Sequence, residues 1–361
     1  MAAPMRIVFD ILGAPERSGG MRLHGTEIIT TWTEIFPADE LVVVGGEWAR
    51  TDFEPLGLEV TVVNNERSLR RAAGQMLITP WVARRRRADH VISLSPIVSP
   101  FVPRARSSCF QHDWRHKKNP SEFPLAQRIY RVLWQASASY AGMNFCISAK
   151  AVAETHAYSH RPRTTLVENG RDHARRWVTS PVGREGSNHL VTFGHHNNKR
   201  PELVLDALAS AGNALRDYDL VILGARGAYA DELAARAARL GLEHRLQLPG
   251  FVTEEEYQST VASASAIILA SSDEGFGLPV AEAQFLGVPA VITADSGITE
   301  LFPDHSVVAS PEPSSLGAAI QEALASRVRL SAGVKESQTW AHVVSQVRSE
   351  LQARETSRKP R

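Results

Sequence analysis

Cysteine is scarce in this sequence: Cys109 and Cys146 are the only two among 361 residues. Two thiols in so long a chain make no disulfide framework, which excludes the stapled secreted domains and points to a reducing compartment. Excess charge of either sign is also missing. Forty basic and 39 acidic residues leave a net charge of +1, so no global field draws the chain to nucleic acid or to an acidic surface. No apolar run reaches the ~18–20 residues that a membrane span needs. The opening stretch, MAAPMRIVFDILGAP, lacks a charged segment followed by an apolar one of signal-peptide length. The reading is a cytoplasmic protein, at most peripheral at the inner face of a membrane. Neither half opens with a G-x-G-x-x-G fingerprint, which weakens a dehydrogenase reading.

The chain has instead the length of two domains and a regular alternation of short β-branched runs with helix-period segments, the pattern of parallel α/β sheets. In the first half, strands are predicted at Arg6–Leu12, Leu41–Val44, Val91–Ser93, Ser107–Phe110, Asn144–Ile147 and Thr165–Val167. Helices are predicted from Gly20 to Phe36, from Ser68 to about Arg85, from Pro124 to about Ser139 and from Ala149 to about Tyr158. A polar stretch with Gly and Pro, ARRWVTSPVGREGSN, then reads as a linker. Six further strands follow, at Leu190–Phe193, Asp219–Leu223, Arg245–Leu248, Ala266–Leu269, Ala290–Ile292 and Val307–Val308, with helices beginning near Pro201, Tyr229, Thr253, Leu278, Ile298 and Ser314. The expected division is an N-terminal domain over 1–175, a linker over 176–188 and a C-terminal domain over 189–335. A final helix and polar tail occupy 336–361, and whether that helix crosses back to the N-terminal domain stays open. Ligands of such sheets bind beyond the carboxyl ends of the strands.

The segment with the most chemistry is EGFGLPVAE, Glu274–Glu282, which follows the apolar run AIILASS and opens a helix. Gly275 and Gly277 let the backbone approach a ligand. Pro279 suits the first helical turn, where its missing N–H is not needed. The bare N–H groups of that turn favour an anionic phosphate. Glu274 and Glu282 are carboxylates of the kind that accept hydrogen bonds from sugar and ribose hydroxyls.

This segment, extended to EGFGLPVAEAQFLGVPAVITADSGITEL, resembles the E-x7-E signature of the family-4 retaining glycosyltransferases, the "glycosyl transferases group 1". VTFGHHNNKRPELVLDAL, LVILGARG and LQLPGFVTEEEYQSTVASASAIILASS resemble the strands and loops of the same family's donor domain. The resemblance implies a GT-B fold, two doubly wound Rossmann-like domains facing a deep cleft. It implies a retaining, metal-independent hexosyltransferase that takes a nucleotide-sugar as co-substrate and needs no other cofactor. The acceptor would be a glycan, a lipid-linked molecule or a small molecule, in glycan or polysaccharide biosynthesis.

By the same resemblance Glu274 would bind sugar hydroxyls, and the backbone at Phe276, Gly277 and Leu278 would line the sugar–phosphate pocket. Glu282 would hold the ribose, and Val252 would meet the base. Lys199, with Arg200, would bind the diphosphate, whose charge grows in the transition state. His195 stands where the family often has Arg and the loop to Lys199 is one residue short, so His195, Lys199 and Arg200 all remain candidates. On the acceptor side RSGGM, with Gly19 and Gly20, resembles the family's N-terminal glycine loop. In CFQHDW, His112 and Asp113 resemble its His-Asp pair, His112 reaching the transferred sugar and Asp113 orienting it or meeting the acceptor. VENGRD, Val167–Asp172, resembles the junction near the hinge and reads as a turn.

Other signals carry less. Asp217-Tyr218-Asp219 precedes a strand at its amino end, the wrong end for a metal-binding D-x-D. Cys109, His112 and His116 lack the spacing of zinc ligands. Arg84–Arg87, with Arg67, Arg70 and Arg71, form a basic stretch on or after a predicted helix. A solvated helix end is the preferred reading; the other is contact of Arg84, Arg85, Arg86 and Arg87 with anionic lipid headgroups or a lipid-linked phosphate. Two rival functions stay open: a nucleotide-sugar epimerase on the same fold, and a non-catalytic nucleotide-sugar-binding scaffold.

Overall fold

A computed structural model describes residues 3–16, 18–177, 188–326 and 334–356. Arg17 of the RSGGM loop and residues 178–187 of the expected linker lie outside the described residues. The chain divides into two units, one formed by 1–170 with 336–361 and the other by 171–335.

The first unit is built on seven parallel strands: β1 (Arg6–Asp10), β2 (Glu40–Gly45), β3 (Glu59–Val62), β4 (His90–Ser93), β5 (Ser107–Gln111), β6 (Met143–Cys146) and β7 (Thr164–Leu166). They lie in the order β3-β2-β1-β4-β5-β6-β7, so the direction of winding reverses between β1 and β4. The central strands are near-continuous apolar runs because helices cover both faces of a parallel sheet. Val8, Val44 and Val91 belong to one buried cluster, and Phe9 meets Trp32 of the helix Gly19–Ile35 edge to face at 5.5 Å. Both cysteines are buried as free thiols, and burial pushes the Cys146 thiol up to about 11.

β3 is absent from the sequence expectation. It is an edge strand whose residues are half-buried or exposed, so it carries no buried apolar run to mark it. The helix predicted from Ser68 is present as one continuous helical stretch to Arg85, with a π turn over Gly74–Ile78.

The helix Trp340–Thr356 belongs to this first unit. Arg348 donates to both carboxylate oxygens of Asp39 at 2.8 Å, and Trp32 Nε1 donates to the same carboxylate. Those donors hold the Asp39 carboxyl below its ordinary range in spite of partial burial. Gly170 lies against Trp340 so closely that a Cβ there would fall 2.4 Å from the indole ring.

The second unit has six parallel strands, β8 (His189–Phe193), β9 (Asp219–Leu223), β10 (Leu246–Gly250), β11 (Ala266–Leu269), β12 (Ala290–Thr293) and β13 (Ser306–Ala309), in the order β10-β9-β8-β11-β12-β13. The winding reverses between β8 and β11. Leu190, Ile222, Ile268 and Val291 pack with Leu205, Leu316 and Ile320 of two helices into its core. The helix expected from Ile298 is instead a single 3-10 turn, Thr299–Leu301. Pro303 follows it, denies a backbone donor to a longer helix and disfavours α geometry at Phe302. The unit begins at Arg171, earlier than the sequence boundary, because Arg171 donates to Gln284 and His173 pairs with Glu282.

Candidate functional site

In the second unit three loops meet beyond the carboxyl ends of β8, β11 and β12, at the switch point where such sheets bind ligands. The loop after β11 is stitched to both neighbours. Ser272 N–H donates to Asn198 O at 2.9 Å, Asn198 Nδ2 donates to Asp273 O at 2.8 Å, and Glu274 N–H donates to Ser296 O at 2.8 Å. This stitching brings Lys199 Nζ within 2.5 Å of Glu274 Oε1, with side chains only 9% and 12% exposed. An ion pair so shielded is strong in Coulomb terms and expensive in desolvation, so neither partner is easily removed alone.

Gly277 opens the helix Leu278–Leu286 in a left-handed conformation, φ +89°, and a Cβ there would fall 2.4 Å from Ile298 Cδ1. No side chain caps this helix, so its first-turn N–H of Leu278 stays available to an anion. Phe276 turns its ring inward onto Phe302 at 5.8 Å, and Arg171 lies over the Phe302 ring at 4.6 Å. What Phe276 can offer a ligand is therefore its backbone.

The three phosphate candidates separate. Arg200, in a left-handed conformation with φ 47°, donates to Ala270 O, Thr293 Oγ1 and both oxygens of Asp295. All of its guanidinium nitrogens are engaged in tying β11 to β12. His195 is exposed at the end of β8, and Lys199 stands against Glu274.

Glu282 is one turn into the helix and 3% exposed. His173 Nε2 reaches its Oε1 at 2.9 Å and Tyr257 Oη donates to its Oε2 at 2.5 Å. Burial and the Glu282 charge push the Tyr257 phenol well above its ordinary value, so it stays a donor. Each carboxylate oxygen retains a lone pair for a further partner. Val252 is half-buried beside the exposed Phe251, just before the capping box of Thr253 and Glu256 that starts the helix Glu254–Ser263.

In the first unit the corresponding reversal lies between β1 and β4. Gly13 packs so tightly on Ser95 that a Cβ would fall 2.2 Å from Ser95 Cβ. Gly19 and Gly20 start the helix Gly19–Ile35 and are exposed, with nothing within 4 Å of a Cβ placed at Gly19. His112 follows β5, and its Nε2 lies 3.0 Å from Leu94 O. A carbonyl only accepts, so this contact assigns the proton to Nε2 and leaves Nδ1 as an acceptor. Burial lowers the His112 pKa, which keeps the ring neutral. Asp113 Oδ1 accepts from Arg115 N–H at 3.1 Å and so shapes the turn after His112.

Three residues with no recognised motif complete these sites. His173 and Tyr257 hold Glu282. His24, 1% exposed, stands edge-on to His112 at 4.8 Å, with Nδ1 3.0 Å from Asn169 Oδ1. Burial pushes the His24 pKa well below its ordinary value. Asn169 of the VENGRD turn is thus an anchor for His24. The Asp217-Tyr218-Asp219 stretch lies at the amino end of β9, away from this edge of the sheet. Among the described residues no three or more His, Cys, Asp or Glu gather as a metal-binding group.

Residues 182–339 match the family model described as glycosyl transferases group 1. The chain is 34% identical over 94 residues to an O-antigen chain mannosyltransferase B of Escherichia coli, covering 26% of this chain and 25% of that protein. It is 26% identical over 156 residues to a mannosylfructose-phosphate synthase of Agrobacterium fabrum, covering 39% and 33%. The matched stretches thus span a quarter to a third of the length of these relatives. Among solved structures it is similar to HepE of Anabaena in complex with UDP-glucose, with TM-score 0.70, 19% identity, and coverage of 97% of this chain and 100% of that one. The likeness extends over both units and fixes the fold. Residues 182–339 are a glycosyl transferases group 1 domain, carried on a chain of GT-B fold.

Proposed function

We propose that this protein is a retaining, metal-independent hexosyltransferase, which moves a sugar from a nucleoside-diphosphate donor to an acceptor in glycan biosynthesis. The observation that carries the reading is the shielded Lys199–Glu274 pair beside the uncapped helix at Leu278. It sets a cation, a carboxylate and backbone N–H groups around one point, which is what a sugar diphosphate requires. Lys199 and the helix start stabilise the departing diphosphate as its charge grows. Glu274 accepts from the hydroxyls of the transferred sugar. Glu282, steadied by His173 and Tyr257, accepts from the ribose, and the backbone at Val252 meets the base.

The first unit binds the acceptor. The glycosidic carbon–oxygen bond breaks with its electron pair passing to the diphosphate. The acceptor hydroxyl bonds to the same carbon from the same face and yields its proton to a phosphate oxygen. His112 Nδ1 accepts from a sugar hydroxyl. Asp113, by fixing the turn, keeps His112 in place, and the exposed Gly19 and Gly20 carry bare N–H groups of the kind that suit a phosphate. The mannosyltransferase relative and the UDP-glucose complex make GDP-mannose and UDP-glucose the first donors to try.

The test is a thermal-shift screen against nucleoside diphosphates, followed by nucleotide release from the matching sugar donor with and without a glycan acceptor. One nucleotide should raise the melting temperature by mass action, and Glu274→Ala should abolish transfer while the protein stays folded. Transfer at the native rate in that variant would refute the role given to Glu274. Nucleotide release from a donor that never needs an acceptor would point to the epimerase.

A further inference from the structure

The solvent-facing side of a surface helix is ordinarily polar. The stretch Ser68–Arg85 departs from this. Leu69, Leu77 and Trp81, spaced in multiples of four, are 54–86% exposed. The helix Leu125–Tyr140 packs beside it, with Arg71 over the Tyr130 ring at 5.5 Å and Tyr130 donating to Gln75. Its own outer stripe repeats the departure: Leu125, Ile129 and Val132, at spacings of four and three, are 61–68% exposed. Two neighbouring helices thus turn aliphatic and aromatic side chains to water.

The charge carried by the two stretches themselves has one sign. Residues 67–88 hold seven arginines and no acidic residue, and residues 123–149 hold two arginines and no acidic residue, in a chain whose net charge is only +1. Arg86 is tied to Glu59. Arg67, Arg70, Arg84, Arg85 and Arg128 pair with no carboxylate among the described residues. Arg85 stacks over the Trp81 ring at 5.4 Å. Aliphatic tips flanked by arginine, with tryptophan at the boundary, match the acyl edge and headgroup layer of an anionic bilayer. The apolar core of a protein–protein interface is by contrast depleted in charge.

We infer that these two helices form a docking surface for an anionic lipid bilayer, with Leu77, Trp81 and Ile129 entering the acyl boundary and Arg84 and Arg85 meeting the headgroups. No helix among the described residues is long and apolar enough to cross the membrane, so the contact is a surface one. It starts at the carboxyl ends of β3 and β5, the sheet edge that carries His112, which suits an acceptor presented from lipid.

The experiment is vesicle flotation of the full chain with phosphatidylcholine alone and with phosphatidylglycerol added. It reads binding and not transfer, so it fails or succeeds independently of the proposed activity. The protein should float only with the anionic vesicles and be released by salt. Leu77→Ser with Ile129→Ser, and separately Arg84→Gln with Arg85→Gln, should each lower partitioning about tenfold or more without changing the circular-dichroism melt. Failure to float with anionic vesicles would overturn the inference. So would flotation indifferent to the serine pair, or a dimer in sedimentation that the serine pair converts to monomer.

Discussion

Around its candidate site the second unit closes charge upon charge, whereas the helices beside the first unit's site leave Arg67, Arg70, Arg84, Arg85 and Arg128 without a carboxylate partner among the described residues. Lys199 meets Glu274, Arg200 meets Asp295, and both oxygens of Glu282 have protein partners. Arg70, Arg84, Arg85 and Arg128 of the first unit's two outer helices stand among exposed leucines and isoleucine, while Arg71 and Arg131 pack on aromatic rings. The difference separates two ways of binding. Groups held in a fixed, shielded geometry suit a small ligand whose charges must be met at defined points. Groups spread over an open face suit a large partner that supplies many weak contacts.

This contrast is breakable by mutation. The largest effect is expected for Lys199→Met, which removes the cation and leaves Glu274 shielded without it. Nucleotide affinity and transfer should both fall, transfer by about 10³, as read by calorimetry and a transfer assay. His112→Ala should lower transfer about tenfold through one lost hydrogen bond, while the affinity for free nucleotide stays the same. Equal losses of nucleotide affinity in the two variants would erase the division of labour between the units.

The smallest effect concerns acid. Burial lowers the pKa of His24 and His112, and takes His116 down to about 4. In the second unit His305 alone among the resolved shifts is lowered in this way. A histidine whose folded pKa is depressed gives stability that is present above the unfolded value near 6.5 and is lost as pH falls through it. Asp10 opposes this: burial raises it to about 6, so the folded form takes up a proton between pH 6 and 4 and gains stability there. With three depressed histidines set against one raised carboxyl, the first unit should lose net stability as pH falls from 7 to 5. Hydrogen exchange resolved by unit should show its amides losing protection first.

The architecture was legible where burial makes sequence periodic. The four central strands of the second unit carry apolar runs because helices cover them on both faces, and the edge strands β10 and β13 still carry leucine or valine at alternate or adjacent positions; each was expected. β3 escaped because an edge strand is half-wet. The glutamates and the helix start were visible as a local string, since their geometry is set within nine residues of chain. The partners of Glu282 were not. His173 lies 109 positions away and Tyr257 25 positions away, and no local spacing relates them. Arg200 and Lys199 are adjacent in sequence, yet a left-handed turn at Arg200 sends one into the fold and leaves the other at the site. The exposed Leu69, Leu77 and Trp81 between the arginines could not be read from the sequence, since exposure is set by what packs on the helix and not by its own spacing.

The helix Trp340–Thr356 also bears on how the protein is made. Its Arg348 neutralises Asp39, 309 positions earlier, and its Trp340 packs against Gly170. On a ribosome, every residue of the second unit is synthesised before this helix exists. The second unit can therefore finish folding while the first still has a shielded carboxylate without its cation and an apolar face without its cover. Domains generally fold as units during synthesis, and incomplete ones expose the surfaces that aggregate. The half of the molecule that is translated first is thus the half that matures last, and its vulnerable interval lasts as long as it takes to translate the other.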